Sequence, residues 1–170
     1  GVATIKDSLS KFVGKGKITE DANKDMLSRL KTTTDLKEAV SDADLVIEAV
    51  FEDLTLKKKV FADLDAYAPA NAVLASNTSS MSITAIASAA KKPERVVGMH
   101  FFNPAVLLKL VEVIYADQSS DAAIQTTFDV AKKMNKVPVI VRKDSPGFIY
   151  NRVNAPTGLL LQLILDKGSP

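Results

Sequence analysis

The sequence predicts an α/β fold with a doubly wound, mostly parallel sheet, and three observations carry that prediction. Short apolar runs rich in β-branched residues stand at 44–50 (DLVIEAV), 72–77 (AVLASN) and 95–102 (RVVGMHFF), as expected of strands covered on both faces. Between them lie helical patterns, one at 56–67 with Val60, Phe61 and Leu64 on one face, and one at 83–90. Strands that alternate with helices build βαβ units, whose parallel strands come from the right-handed crossover. The third observation is size: 170 residues, 46% hydrophobic and 25% charged, supply the core of one soluble domain.

The elements follow in order. Apolar positions at three- and four-residue spacing predict amphipathic helices over 5–13 and 20–30, separated by the GKGK turn at 14–17, with Thr19 as an N-cap. Next come the strand at 44–50, the helix at 56–67, the strand at 72–77, the helix at 83–90 and the strand at 95–102. Residues 108–116 (LKLVEVIYA) alternate apolar and polar, which suits a further strand, followed by a helix over 121–134 and a strand over 137–141. In DSPGF, 144–148, a proline suited to the first turn predicts a new helix. Its stretch 148–165 is so apolar that a partner or a further domain is expected to cover it.

Composition narrows the chemistry. A net charge of +2 with scattered lysines gives no reason to expect nucleic acid. With no cysteine and one histidine, no metal site is expected. No apolar stretch approaches eighteen residues and the start shows no signal-peptide pattern, so a membrane span is not expected, and the cytoplasm or an organelle matrix is. The chain begins without methionine and inside a helical pattern, which raises the expectation that the natural protein is longer.

Ligands of a parallel α/β sheet collect beyond the carboxyl ends of its strands. Three loops qualify here, at 49–56, 76–82 and 100–106. The second, SNTSSMS, carries more hydroxyls than helix capping requires. GKGKIT is neither a dinucleotide fingerprint nor a phosphate loop, since it lies between helices and lacks the needed glycines. His100, the single histidine, stands in an apolar run, where an imidazole is more often structural than catalytic. Glu112 changes the balance: in Leu110-Val111-Glu112-Val113-Ile114 an unpaired carboxylate would cost several kcal/mol to bury. If Asn103-Pro104 turns the chain so that the two segments lie side by side, His100 and Glu112 form an imidazole–carboxylate pair able to act as a general base.

Three stretches, SNTSSMSIT (76–84), GMHFFNPAVLLKLVEVI (98–114) and KDSPGFIYNR (143–152), closely resemble the L-3-hydroxyacyl-CoA dehydrogenase family, which includes 3-hydroxybutyryl-CoA dehydrogenases and the dehydrogenase part of multifunctional fatty-acid oxidation proteins. The resemblance runs over nearly the whole chain and is weakest in the first forty residues. It implies a Rossmann-like domain over 1–143 that lacks its first βα unit, and the first helix of a C-terminal helical domain over 144–170. It implies an NAD-dependent oxidation of the 3-hydroxyl of an acyl-CoA, with a homodimer formed through the rest of the C-terminal domain and with this chain inactive by itself. By similarity His100 is the base, Glu112 orients it, Ser79 and Asn103 lie near the reacting oxygen and the cofactor, and Asn151 supports the pair. Glu52, Lys57 and Asn77 would contact NAD, and Ser8 and Lys15 fall where the family contacts coenzyme A. A competing reading is a non-catalytic relative that binds acyl-CoA or a nucleotide, or an interaction module using the 159–165 face. It leaves the joint presence of His100, Glu112, Ser79 and Asn151 without an account.

Overall fold

A computed structural model describes residues 1–168. The chain divides into two compact units, Gly1–Asp35 and Leu36–Pro170. The first holds α1 (Val2–Gly14) and α2 (Glu20–Ser28). Thr19 caps α2 as its sequence indicates, its hydroxyl accepting from the amide of Ala22 at 3.1 Å.

The second unit contains α3 (Leu36–Val40), β1 (Leu45–Glu48), α4 (Leu54–Tyr67), β2 (Val73–Ser76), α5 (Ile83–Ala87), a short 3₁₀ turn (Pro93–Arg95), β3 (Val96–Phe101), β4 (Leu110–Tyr115), α6 (Asp121–Lys133), β5 (Val137–Val141) and α7 (Tyr150–Asp166). The five strands stand in chain order in one sheet. All neighbours are parallel except β3 and β4, which are antiparallel. The α/β reading therefore holds. The single reversal has a use: it brings the carboxyl ends of β1, β2 and β3 and the amino ends of β4 and β5 to one edge.

Both faces of the sheet are covered over its middle strands β2, β3 and β4, which is why β2 and β3 read as apolar runs. On one face Phe61 and Leu64 of α4 and Ile83 and Ile86 of α5 pack against Leu74, Val96 and Ile114. On the other, Ile124 and Ala131 of α6 pack against Val73, Val97, Met99 and Val113. Neighbours such as Val96 and Val97 serve opposite faces, following the two-residue period of a strand. Gly98 of β3 sits where α5 and β4 come closest: a Cβ there would lie 2.7 Å from Ile114 Cδ1 and 3.0 Å from Ile83 Cδ1. Arg95 and Asp65 form a buried pair at 2.9 Å that ties α4 to the start of β3.

One expectation needs correction. The helix expected to start at Pro146 starts at Tyr150, because Gly147 and Phe148 both take positive φ, 75° and 51°, and turn the chain away from a helical path. Asp144 caps no helix of its own segment. Its carboxylate accepts from the Ser82 hydroxyl at 2.6 Å and the Thr84 amide at 2.8 Å, fastening this stretch to α5. The helix α3 escaped the sequence reading because five residues are too few to show a period.

Candidate functional site

β3 and β4 pair antiparallel with His100 directly opposite Glu112. Side chains opposite each other on one face lie close together. Here His100 Nδ1 is 2.8 Å from Glu112 Oε2, and both side chains are almost wholly buried. The other carboxylate oxygen, Oε1, accepts from the amides of Ile149 and Tyr150, both at 2.9 Å. Glu112 is thus satisfied on both oxygens, and the burial that would penalise a lone carboxylate is offset. Two rings flank the imidazole at a tilt, Phe102 4.5 Å away between centroids and Phe148 5.6 Å away. With the carboxylate on Nδ1, the proton of a neutral ring resides there and Nε2 is left as the basic nitrogen.

Residues 149–151 join the pair to the Ser79 loop. The Ser79 amide donates to Glu52 Oε1 at 2.8 Å, and the Ser79 carbonyl accepts from Asn151 Nδ2 at 3.1 Å. Both backbone groups are pinned while the residue itself stays exposed. Asn151 reaches Ser79, whereas the direct partners of Glu112 are Ile149 and Tyr150. Asn77 is half-buried, and its Oδ1 accepts from the Phe101 amide at 2.9 Å, linking the end of β2 to that of β3. Asn103 is exposed in the loop after β3.

The end of β1 carries a charge cluster. Lys57 is wholly buried and donates to Glu48 Oε1 at 2.8 Å and to the Val50 carbonyl at 3.2 Å, and it pairs with Glu52 Oε2 at 3.4 Å. Glu48, also buried, accepts from the Val50 amide at 2.6 Å and the Ser76 hydroxyl at 2.7 Å. Burial alone would raise the Glu52 carboxyl, but hydrogen bonds from the Ser79 amide and the Thr78 hydroxyl, with the nearby Lys57 charge, outweigh it and hold Glu52 below the ordinary glutamate value. Glu48 and Thr78 are absent from the residues singled out by sequence. Ser8 and Lys15 belong to the first unit, Ser8 within α1 and Lys15 just after it.

The comparisons with known proteins agree with one another. The chain is 45% identical to a 3-hydroxybutyryl-CoA dehydrogenase of Clostridioides difficile over 155 residues, which covers 91% of this chain and 54% of that protein. It is 43% identical to the fatty acid oxidation complex subunit alpha of Psychrobacter cryohalolentis, over 99% of this chain and 23% of that protein. Among solved structures, 3-hydroxybutyryl-CoA dehydrogenase from Escherichia coli superposes with a TM-score of 0.93 at 40% identity, covering 98% of this chain and 35% of the other. The (S)-3-hydroxybutyryl-CoA dehydrogenase of Ralstonia eutropha gives a TM-score of 0.94 at 37% identity, covering 99% and 59%. The chain therefore spans about half the length of the first of these relatives and a quarter of the second. Residues 1–145 match the model of the 3-hydroxyacyl-CoA dehydrogenase NAD binding domain, and the chain belongs to that family.

Proposed function

We propose that this chain carries the catalytic base and part of the cofactor site of an NAD-dependent 3-hydroxyacyl-CoA dehydrogenase. The observation that carries the reading is the buried His100–Glu112 pair at 2.8 Å. Glu112 fixes the ring so that Nε2 takes the proton of the 3-hydroxyl group, and its charge stabilises the imidazolium that results. As the O–H bond breaks, the electron pair it leaves forms the carbonyl at carbon 3, and the hydrogen on that carbon departs with its own pair. NAD, when bound, supplies the acceptor for that hydride. Ser79, whose amide and carbonyl are both held, presents its hydroxyl toward the reacting oxygen in this scheme, with Asn103 nearby and Asn151 securing the loop.

The donor set fits the sugar end of the cofactor. Glu52 is an exposed carboxylate at the carboxyl end of β1, the kind of acceptor that ribose hydroxyls require. Asn77 keeps its amide nitrogen for a contact there, since only its oxygen is committed to Phe101. Ser8 and Lys15 are assigned to coenzyme A on family similarity, and a lysine at a helix end suits a phosphate. Residues 1–143 act as the NAD-binding part in this reading and 144–170 as the start of a further helical domain, with α7 its first helix. The apolar side chains exposed along α7, Leu159 to Leu161 and Leu163 to Leu165, support burial by that domain and by a second copy in a homodimer. No helix among the described residues is long and apolar enough to cross a membrane. A cytoplasmic or organelle-matrix setting completes the reading. The test is NADH formation from NAD and 3-hydroxybutyryl-CoA by the intact protein. His100→Gln is expected to lower kcat by about 10²- to 10⁴-fold with the unfolding midpoint little changed, and equal turnover in that variant overturns the assignment.

A further inference from the structure

Lys57 poses a problem that its proposed contact with the cofactor does not solve. An ammonium has three donors. Those of Lys57 face Glu48, the Val50 carbonyl and Glu52, and the side chain is buried. Two of the three are committed inside the protein, to Glu48 and the Val50 carbonyl, so one cofactor contact does not account for the arrangement. Glu48 is equally enclosed, between Lys57, the Val50 amide and the Ser76 hydroxyl. A buried ion pair gives little stability over an apolar pair of similar volume, so its presence at the end of β1 calls for an account beyond stability.

The account lies in the charge balance. Two carboxylates share one ammonium, and the closer pairing, 2.8 Å against 3.4 Å, goes to Glu48. Glu48 is 1% exposed at its side chain and Glu52 is 44% exposed. The uncompensated negative charge therefore resides on Glu52, at the surface, where one oxygen is already fixed by Thr78 and Ser79. We propose that Glu48 is a positioning residue of the cofactor site: by holding Lys57 inside the protein it leaves Glu52 charged, outward and able to accept from ribose hydroxyls. Without the charge of Glu48, the attraction of Lys57 falls undivided on Glu52, draws that carboxylate inward and neutralises it. The same shift disturbs Ser79, whose amide Glu52 holds.

This inference rests on the NAD reading, and the experiment separates the two. Glu48→Gln keeps the shape of the cluster, since its amide oxygen can accept from Val50 and Lys57 and its nitrogen can donate to Ser76. In the intact protein, titration with NADH, read by the fluorescence of the dinucleotide, is expected to show a dissociation constant raised about tenfold, the size expected for a lost hydrogen bond to a charged group. KM for NAD should rise by more than kcat falls, because His100 and Glu112 are untouched. Glu48→Asp keeps the buried charge but withdraws it from Lys57 by one methylene, and it is expected to raise the dissociation constant by less than Glu48→Gln does, about threefold. Because its carboxylate still pairs with Lys57, it carries the test should Glu48→Gln fail to fold. A folded Glu48→Gln or Glu48→Asp protein with parental NADH affinity overturns the inference, as does a Glu48→Asp protein that binds NADH as weakly as Glu48→Gln. Failure of the parent protein to bind NADH would instead overturn the NAD reading itself.

Discussion

At the scale of single residues, the decisive feature is a carboxylate shared between two tasks. Glu112 gives one oxygen to His100 and the other to the amides of Ile149 and Tyr150. Glu112→Gln separates them: the amide oxygen can still accept from the two backbone groups, which leaves the amide nitrogen to donate to Nδ1. That inverts the tautomer, puts the ring proton on Nε2 and removes the base. The expected result is a loss of about 10²- to 10⁴-fold in kcat with a small change in the unfolding midpoint, checked by steady-state kinetics beside a thermal melt. A variant that keeps its rate would show that the tautomer is not set by this contact. His100 and Glu112 were legible in the sequence because each is a polar residue alone in an apolar strand pattern. Glu48 obeys the same logic in DLVIEAV, and Lys57 stands one helical turn before Val60 and Phe61, on the buried face of α4. Both signals were present. They were masked because a lysine on a helix is ordinarily solvated and a short apolar run ordinarily tolerates one polar position at its end.

Among the elements, the sheet places the site by contact between close-packed parts. Gly98 lies two residues before His100, and its missing side chain lets Ile83 of α5 and Ile114 of β4 meet over β3. A Cβ 2.7 Å from Ile114 forces those side chains to move. Gly98→Ala should cost about 1–3 kcal/mol, as overpacking generally does, measured by denaturant unfolding. A neutral result would mean the two isoleucines yield freely. The Asp65–Arg95 pair between α4 and β3 gives a pH-dependent counterpart. Burial raises the Asp65 carboxyl, but the Lys91 amide, the Arg95 guanidinium and its charge outweigh it and hold the group below the ordinary aspartate value. A depressed carboxylate contributes stability above its unfolded pKa, about 3.9, and loses it as pH falls through the lower folded value. Asp65→Asn should therefore cost about 3 kcal/mol near neutrality, the lower end for a broken buried pair, and the gap from the parent should close below about pH 4. A gap that persists in acid would assign the loss to packing instead. Element identity was largely readable because short apolar runs rich in β-branched residues, and the alternation at 108–116, differ sharply from the 3.6 period of the longer helices. The start of α7 was not, because a proline after an acidic residue looks the same before a helix and before a turn closed by positive φ.

For the whole molecule, the distribution of buried surface sets how stability is spread. Every buried residue of both hydrophobic clusters lies from Val40 onward. By contrast α1 and α2 bury no residue, and neither does α7. Helices of 13 and 9 residues with no buried face are marginal in water, because nucleation is costly and propensity alone seldom repays it. The strands β2 and β3 are the opposite case, with every residue of β2 buried and five of the six in β3. Hydrogen exchange of this 170-residue chain should show a steep gradient. Amides of β2, β3 and β4 should open only with global unfolding, and those of α1, α2 and α7 should exchange by local fraying about a thousandfold faster or more. The amides of Ile149 and Tyr150 make an informative exception, since their bonds to the buried Glu112 tie them to the sheet although α7 beyond them buries no residue. Their protection should exceed that of residues 153–165 and should fall in a Glu112→Ala variant, while protection within β2 stays near its parental level. Uniform slow exchange from residue 2 to residue 166 would contradict this picture, because it would require α1, α2 and α7 to be held by contacts that burial does not reveal.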